Sequence, residues 1–397
     1  MSLRVLHTAD WHLGDRLGGL DRFPDQIARL EELMAHAEQH RVDVLLVCGD
    51  VLEESRPQRL APIVSEVARV LQPSIRRGMR CVFLAGNHDS QHTFDLLDGI
   101  QRLLADDAGR VHFIGSPALL ELTAGGAPAA ALVALPYPTA AAYGVDAQVT
   151  TLELKRAALE EAVSDRIELL TAQADADVPG VPKLMAGHFL LREAPADTTG
   201  VTEVSEAEDV RVDSPRLDRF AYVALGHVHD PTVLSERVRY SGALDRIDFG
   251  EAEQSRHAVL VEVSANGSVT QRELPLDPTP MAQFEIGSLA DIAEKAELLE
   301  DPARTIVKLA LRLGREDSAS LWLAEARDSF PRLYKPPTLI RLDDPLPALV
   351  TGAVESADVG QTVKRFLASE LEGDPDRDAL LALADELLLA EQAGARE

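Results

Sequence analysis

Five short apolar runs in the first 230 residues each lead into polar residues whose side chains are good metal ligands. The runs at 5–8, 42–48, 81–85, 183–186 and 221–225 are aliphatic and β-branched, so we predict that each is a buried strand. Four of the five polar clusters follow a glycine directly, and glycine lets a backbone turn sharply and approach its neighbours closely. This pattern constrains the chain to a layered α/β domain whose loops meet in one crevice.

Stretches with helical periodicity lie between these predicted strands. Apolar residues recur at three- and four-residue spacing over 27–34 and 63–71, and 150–173 is predicted to be a long polar helix followed by a linker at 174–182. Further strands are predicted at 131–135, around Tyr240, and at 258–263 and 268–274, where no helix separates the runs. We therefore expect an α/β sandwich of two mixed β-sheets flanked by helices, not a single doubly wound sheet.

Changes of pattern near residues 280 and 350 predict three parts. Residues 1–280 form the sandwich. Residues 281–348 form a small α+β domain, since 305–313 alternates like a half-buried strand and 318–327 has a helical pattern. Residues 349–397 form a helical tail with two apolar stripes, which are too short for a core of their own. The stripes are Val363, Phe366, Leu367 and Leu371, then Leu380, Leu383, Leu387 and Leu388, the second behind an Asp374 cap and Pro375.

The composition excludes some classes of protein. No apolar stretch of about eighteen residues occurs and residues 1–10 do not have the pattern of an export signal, so we expect a cytoplasmic protein without a membrane segment. Cys48 and Cys81 each lie in an apolar run and are predicted to be buried, reduced thiols. The formal net charge of -27 opposes binding to a polyanion, although divalent cations would reverse the sign of the potential at a carboxylate-lined site.

The polar clusters supply oxygen and imidazole ligands. This mixture suits manganese, iron or zinc better than magnesium or calcium alone. Any one of these residues by itself would be ordinary, but five such clusters together indicate a metal site. Seven candidate ligands exceed the need of one open tetrahedral site, and a carboxylate such as Asp50 can bridge two cations. The clustered residues are Asp10, His12, Asp50, Asn87, His88, Asp89, His188, His227 and His229.

The ordered motifs DxH, GD, GNHD, GH and GHxH resemble those of the calcineurin-like metallophosphoesterases. The longer segments ADWHLG, GDVLEESRP and GHVHDP, with YSGALDRIDFGE after them, are similar to the SbcD family of bacterial nuclease subunits, up to about residue 275 and more loosely beyond. That family is the counterpart of the nuclease in eukaryotic and archaeal break-repair complexes.

The resemblance implies a role for each clustered residue. One metal would be held by Asp10, His12, Asp50 and His229, and the other by Asp50, Asn87, His188 and His227. His88 would lie beside the scissile phosphate without binding metal, and Asp89 would orient the ring of His88. Glu53 departs from the family, whose members often have His or Asp at this position. The departure bears on the balance between exonuclease and endonuclease action, not on cleavage itself.

The resemblance also implies a function. The chain would be a DNA nuclease with two divalent metal ions, expected to be Mn²⁺, acting as an exonuclease on duplex ends and an endonuclease on hairpin or single-stranded DNA. It would serve DNA repair, recombination and replication at the nucleoid, as a homodimer that binds an SbcC-type coiled-coil ATPase through residues 353–397. The domain at 281–348 would cap the site and help to admit duplex ends.

Two other functions are compatible with the five loops. One is a metallophosphoesterase that acts on a small phosphodiester such as a cyclic nucleotide, a nucleotide-sugar hydrolase, or a protein phosphatase. Small-molecule members commonly end near the core, whereas this chain continues for some 120 residues. The other is a scaffold whose metal site has decayed, which would have lost ligands, and none is missing here.

Overall fold

Two β-sheets lie face to face in the computed structural model, which describes residues 2–53, 56–103, 109–146, 151–194, 210–213, 217–314 and 316–341. Within this part of the chain each of the two sheets has six strands. The predicted sandwich is therefore confirmed.

The strands of the first sheet are β1 (Leu3–Thr8), β4 (Val44–Cys48), β5 (Arg80–Leu84), β6 (Val111–Ile114), β15 (Arg256–Val263) and β16 (Val269–Leu276). Those of the second are β7 (Ala118–Ala124), β8 (Ala127–Leu135), β9 (Lys183–His188), β12 (Tyr222–Gly226), β13 (Thr232–Val233) and β14 (Val238–Tyr240). The spatial order is β16-β15-β1-β4-β5-β6 in the first sheet and β13-β14-β12-β9-β8-β7 in the second, and both sheets mix parallel and antiparallel pairs.

The space between the sheets is filled by alternate side chains from both. Val44 and Leu46 of β4 pack against Leu132 of β8 and Leu184 of β9 in one fully buried cluster. Because side chains alternate across a strand, the opposite face of the first sheet is free to pack on helices, and Leu45 and Val47 do so against Leu30 of the first helix. This sandwich is the rigid support of the loops described below.

Helices flank both sheets. They are α1 (Phe23–Gln39), α2 (Pro57–Arg76), α3 (Gln91–Leu103), α4 (Ala140–Tyr143) and α5 (Leu152–Asp177), with a 3-10 helix at Phe249–Glu251. The prediction of a linker from residue 174 was wrong for its first four positions. The buried face of α5 extends as far as Ala174, so packing keeps this polar sequence helical to Asp177. No helix in the described ranges is both long and apolar enough to cross a membrane.

Residues 281–341 build a separate three-stranded parallel sheet, which we call the accessory sheet. Its strands are β17 (Met281–Ile286), β18 (Ile306–Leu313) and β19 (Thr338–Arg341), with α6 (Leu289–Glu297) and α7 (Ala319–Ser329) alongside. It has its own apolar cluster around Trp322 and Phe330. The boundary at 280 stays a prediction, and the predicted tail at 349–397 lies outside the described residues.

Four short strands complete the fold. β2 (Arg16–Leu17) and β3 (Leu20–Asp21) form a small hairpin after β1, and β10 (Leu190–Leu191) pairs with β11 (Arg211–Val212). Tyr334 of the accessory sheet region packs on the hairpin at Gly18 and on Phe249 of the 3-10 helix. The accessory sheet is thereby fixed to the same edge of the sandwich that carries the candidate site.

Candidate metal centre

All of the clustered polar residues lie where strands of the two sheets end. Asp10 and Asp50 follow β1 and β4, and Asn87 to Asp89 follow β5. In the second sheet, His188 ends β9 and pairs in register with Gly226, the residue directly before His227. The carboxyl ends of parallel strands thus deliver side chains from both sheets to one place, as the sequence predicted.

The backbone is strained at four of these positions. Asp10, His12, Asp50 and His227 have positive φ values of 51°, 44°, 49° and 88°, in a region that residues other than glycine rarely adopt. Among the described residues, Arg41 is the one other non-glycine with a positive φ. Such conformations persist only where surrounding structure over-determines them, and they concentrate at functional sites.

Two glycines allow the strand ends to approach closely. A Cβ atom on Gly49, whose φ is 93°, would overlap the imidazole of His188, and one on Gly86 would overlap the carboxylate of Asp50. Any side chain at these positions would displace a candidate ligand. The predicted need for glycine at the start of these clusters therefore has a direct steric basis.

Asp50 lies at the middle of the cluster. Its Oδ2 atom is 3.6 Å from Nε2 of His12 on one side and 3.3 Å from Nε2 of His188 on the other. Its Oδ1 atom accepts a hydrogen bond of 2.9 Å from the backbone N–H of His88. The carboxylate is buried and held in place, with one oxygen facing two candidate ligands from different sheets.

On the side of the second sheet, the amide oxygen of Asn87 lies 3.0 Å from Nε2 of His188 and 3.1 Å from Nδ1 of His227. These separations resemble those of neighbouring ligands around a cation that binds each at about 2.1 Å. Asn87, His188 and His227, together with Asp50, therefore have the spacing and donor types that a divalent cation requires.

On the side of the first sheet, Asp10, His12 and His229 offer ligand atoms that all lie within 4.8 Å of one another. The Nε2 atom of His12 is buried and has no hydrogen-bond partner among the described residues. A buried polar atom without a partner is costly, and a bound cation would satisfy it. This group also fits a divalent metal ion, so all seven predicted ligands lie together.

Asp89 differs from expectation. The carboxylate of Asp89 accepts three backbone hydrogen bonds, from Val51 at 3.0 Å, Leu52 at 2.8 Å and Gly86 at 2.8 Å, and so binds two loops together. Glu53 is the carboxylate beside the His88 ring, at 2.9 Å from Nδ1. The prediction that Asp89 orients His88 is corrected: Glu53 does so, because the loop geometry turns Asp89 toward the backbone.

Comparison with known proteins identifies the family. The sequence profile of the calcineurin-like phosphoesterases matches residues 3–231, which is more than half of the chain. The chain belongs to this family. The metal-dependent phosphoesterase fold that the motifs suggested is thereby established for the sandwich.

Two proteins with similar sequences have the name of the same nuclease subunit. The chain is 28% identical over 324 residues to SbcD, the D component of the nuclease SbcCD, from Escherichia coli (strain K12), covering 75% of this chain and 74% of the relative. It is 29% identical over 284 residues to the protein of the same name from Bacillus subtilis (strain 168), covering 69% and 70%. A solved dimetal phosphatase from Danio rerio is 14% identical, with a TM-score of 0.42, and covers 68% of this chain and 98% of that one.

Two carboxylates contact histidines of the phosphoesterase centre, each at the Nδ1 atom of one ring. Glu53 lies 2.8 Å from Nδ1 of His12, and Glu251 lies 3.0 Å from Nδ1 of His229. Glu251 is held in turn by Arg256 at 2.5 Å and by the backbone N–H of Ile247 at 2.8 Å. Sequence reasoning missed Glu251. Its one signal was its place in the DFGE segment, which does not reveal a contact with a histidine 22 residues earlier.

The buried charges shift one another's pKa values. Burial lowers the pKa of His12, but its hydrogen bond to Glu53 and the charges of Asp50 and Asp10 outweigh burial and raise it to about 9. Burial likewise lowers the pKa of His188, and Asp50 and Asp10 raise it to about 9. Protons and cations therefore compete for the same nitrogens in this centre, and metal binding must release protons.

Proposed function

We propose that this chain is the nuclease subunit of an SbcCD-type complex, a DNA nuclease that requires two divalent metal ions and acts in DNA repair and recombination. One observation carries the proposal: seven candidate ligands from five separate segments converge around the carboxylate of Asp50. The names of the relatives, which make each of them a part of the nuclease SbcCD, support DNA as the substrate and an SbcC-type ATPase as the partner.

The metal assignment follows the two groups of ligands. Asp10, His12, Asp50 and His229 would hold one ion, and Asp50, Asn87, His188 and His227 would hold the other, with Asp50 shared. Each set combines two imidazoles with two oxygen ligands, and oxygen ligands suit Mn²⁺, which we propose for both sites. When bound, such ions lower the pKa of coordinated water and stabilise charge that develops on the phosphoryl oxygens.

His88 is placed to act on the substrate. Its side chain is 30% exposed, whereas those of His12 and His188 are buried, so it lies at the open rim of the centre. The hydrogen bond between Nδ1 and Glu53, together with the charge of Asp50, outweighs burial and raises the pKa of His88. We propose that His88 donates a proton from Nε2 to the leaving oxygen of the phosphodiester.

The accessory sheet is proposed to guide DNA toward the centre, as a domain distinct from the sandwich. It contacts the 3-10 helix Phe249–Glu251, whose last residue supports His229. Lys308 of β18 lies over the rings of Phe249 and Tyr334, at 5.4 Å and 5.7 Å from their centroids. Three other basic residues of this region form ion pairs with acidic residues of the chain. The pairs are Arg304 with Asp277, Arg312 with Glu285 and Arg332 with Asp25.

Two partner contacts are part of the proposal. Leu96 and Ile100 lie one turn apart on α3 and are 61% and 48% exposed, which supports a homodimer that covers this apolar face. The predicted ATPase contact at 353–397 lies outside the described residues. Deleting 353–397 is expected to abolish binding to an SbcC-type ATPase and to leave metal-dependent cleavage of simple substrates intact. Retained binding would contradict that contact.

A direct assay tests the proposed substrate. The full chain with Mn²⁺ is incubated with an end-labelled DNA duplex, a hairpin, a chromogenic phosphodiester and a cyclic nucleotide, with and without an SbcC-type ATPase. We expect shortening of the duplex and opening of the hairpin, both lost with a chelator and stimulated by the ATPase. Efficient hydrolysis of the cyclic nucleotide with intact DNA would instead support the small-substrate alternative.

A further inference from the structure

We propose that a cavity beside the metal centre binds one unpaired base of the DNA, next to the bond that is cleaved. The cavity, which we call the Tyr137 pocket, has a volume of about 200 Å³ and lies between the end of β8 and the first turns of α5. Tyr137, Ala140, Leu152 and Lys155 are among the residues that line it. This inference rests on the proposed function and names the part of the substrate that lies beside the reacting phosphate.

Tyr137 lies two residues after β8, at the edge of the second sheet where the candidate ligands meet. Leu135, the last residue of β8, pairs in register with Gly187, which directly precedes His188. The backbone N–H of Tyr137 donates to the carbonyl of Ala85 at 2.8 Å, in the loop that follows β5. The topology that collects the ligands therefore also fixes an aromatic residue beside them.

The ring of Tyr137 contacts two of the proposed metal ligands. Its centroid lies 6.2 Å from that of His188 and 6.0 Å from that of His227. The residue is half-buried, so part of it packs on the histidines and part of it faces the Tyr137 pocket. A base that packs on this ring therefore lies within one nucleotide of a phosphate at the metal centre.

The size and surface of the Tyr137 pocket suit a single base. Whole drug-sized ligands usually occupy about 300–1,000 Å³, so a cavity of about 200 Å³ has room for one planar ring system and not for a longer segment. Leu152 is 52% exposed, which leaves apolar surface uncovered in the same pocket as the tyrosine ring. Aromatic surfaces bind bases of any sequence by stacking, because every base has a π-face.

Lys155 supplies a positive charge to the Tyr137 pocket. Its side chain is exposed and forms no ion pair with the residues that the structure describes. Other basic residues are paired with acids, as Lys183 is with Asp175. In a chain with a formal net charge of -27, an unpaired lysine at this place attracts a phosphate. We assign Lys155 to the phosphate on the far side of the bound base from the metal centre.

The Tyr137 pocket requires a base that is not paired. A base inside a duplex is stacked on both sides, so it can enter the pocket only where the strand is single or where its end has frayed. The pocket should therefore favour cleavage of single-stranded or frayed DNA over cleavage within an intact duplex.

Nucleotide binding to the full chain with Mn²⁺ tests the pocket without relying on cleavage. Calorimetry compares deoxyadenosine 5′-monophosphate and 3′-monophosphate with deoxyribose 5-phosphate, which lacks the base. At least one nucleotide is expected to bind about 5- to 150-fold more tightly than the sugar phosphate, as the stacking of one base predicts. Tyr137→Leu is expected to abolish this preference, and Tyr137→Phe, which keeps the ring, is expected to retain it.

A second variant guards against damage to the metal centre. Tyr137→Leu changes a contact with His188 and His227, so the Mn²⁺ content of this variant is measured first. If Mn²⁺ is lost, Ala140→Leu decides, because it fills the pocket and leaves Tyr137 in place. No base preference in the wild type, or an undiminished preference in the deciding variant, would overturn the inference.

Lys155→Ala tests the assigned phosphate contact. Binding of single-stranded DNA is measured over a range of salt concentrations, with His88→Ala as the background so that the DNA stays intact. Loss of one phosphate contact should reduce the slope of log affinity against log salt by about 0.7. Lys183→Ala is the control, since Lys183 begins β9, at the opposite end of the strand from the centre, and should leave the slope unchanged. An unchanged slope with Lys155→Ala would overturn the assignment of Lys155.

The outcomes separate this inference from the proposed function. A base preference that depends on Tyr137, in a chain that cleaves no DNA, would remove the proposed function and keep the pocket as a nucleotide site. Cleavage of DNA by a chain that shows no base preference would do the reverse.

Discussion

The metal centre and the junction of the accessory sheet both join segments that are far apart in the sequence, but by opposite means. At the junction, the ring of Tyr334 packs edge-on against Phe249 with centroids 5.4 Å apart, and Arg332 pairs with Asp25 at 3.0 Å. At the centre, acids and histidines are crowded together, four residues have strained backbones, and Nε2 of His12 lacks a hydrogen-bond partner among the described residues.

This difference separates stability from chemistry. The junction is held by apolar contact and a paired charge, so it contributes to folding. The centre is held in place by the sandwich beneath it, and its own polar groups are arranged for a ligand instead of for one another. Changes at the centre should therefore reduce activity far more than stability, and changes at the junction should do the opposite.

The largest effect is expected from Asp50→Asn. This change removes the charge shared by both proposed metal sites, while asparagine tolerates the φ of 49° at this position. We predict loss of DNA cleavage to the background rate and loss of stoichiometric Mn²⁺ binding, measured by metal analysis after desalting. Asp328→Asn on the exposed face of α7 serves as the control. Near-normal cleavage by Asp50→Asn would refute a bridging role.

His88→Ala is expected to have the next largest effect. Loss of a general acid typically reduces a rate by about 10²- to 10⁴-fold, and here it should do so without loss of metal. The variant should retain both Mn²⁺ ions, since His88 is not a proposed ligand. An unchanged nuclease rate, with metal content verified, would show that His88 has no catalytic role.

Tyr334→Ala tests the junction. Removing the half-buried ring that packs on Gly18 and Phe249 should lower the free energy of unfolding by about 2 kcal/mol. Hydrolysis of a chromogenic phosphodiester should be nearly unchanged, whereas DNA cleavage falls if the accessory sheet guides DNA. Leu339→Ala, at a side chain that is 45% exposed, is the control for truncation. If Tyr334→Ala strongly reduced hydrolysis of the small substrate and left the free energy of unfolding nearly unchanged, the contrast between the two regions would be contradicted.

The smallest effect is expected in the pH dependence of stability, through His7 in the core beneath the centre. Burial lowers the pKa of His7 from 6.5 to about 3, and its ring accepts from Tyr222 and donates to the carbonyl of Leu225. On acidification, the unfolded chain binds a proton at the His7 ring before the folded chain does. The contribution of His7 to stability is therefore fully present above pH 6.5 and is lost as the pH falls toward 3. This group alone should lower stability by about 2 kcal/mol between pH 7 and pH 5.

The variant His7→Gln isolates that contribution. Urea unfolding of the wild type and the variant at both pH values gives the difference. The variant should lose less stability on acidification than the wild type by about that amount. Equal losses in the two proteins would mean that His7 is not held neutral in the core.

Much of the centre could be predicted because its signals are local. A strand followed by a glycine and a ligand-type residue is visible in the sequence, and the topology of parallel strands brings such ends together. The partners of the ligands were not visible. Glu251 meets His229 only through the tertiary fold, and the choice between Glu53 and Asp89 beside His88 depends on loop conformation.

The secondary structure, too, can be predicted where its signals are local and not where it depends on tertiary packing. Most strands of the two sheets are apolar runs, and these can be located from that pattern. The end of α5 was misplaced because its polar residues look like a linker, and only the packing of Ala174 reveals the helix. β17 and α6 were not predicted individually, since short half-buried elements carry weak periodicity.

The central claim is a centre of two ions that share Asp50. Anomalous diffraction at the manganese edge, from crystals of the full chain grown with Mn²⁺, tests it most directly. We expect two peaks about 3.5–4 Å apart, as in other two-metal sites, with the Asp50 carboxylate between them. A single peak, or two peaks that do not share Asp50, would contradict it.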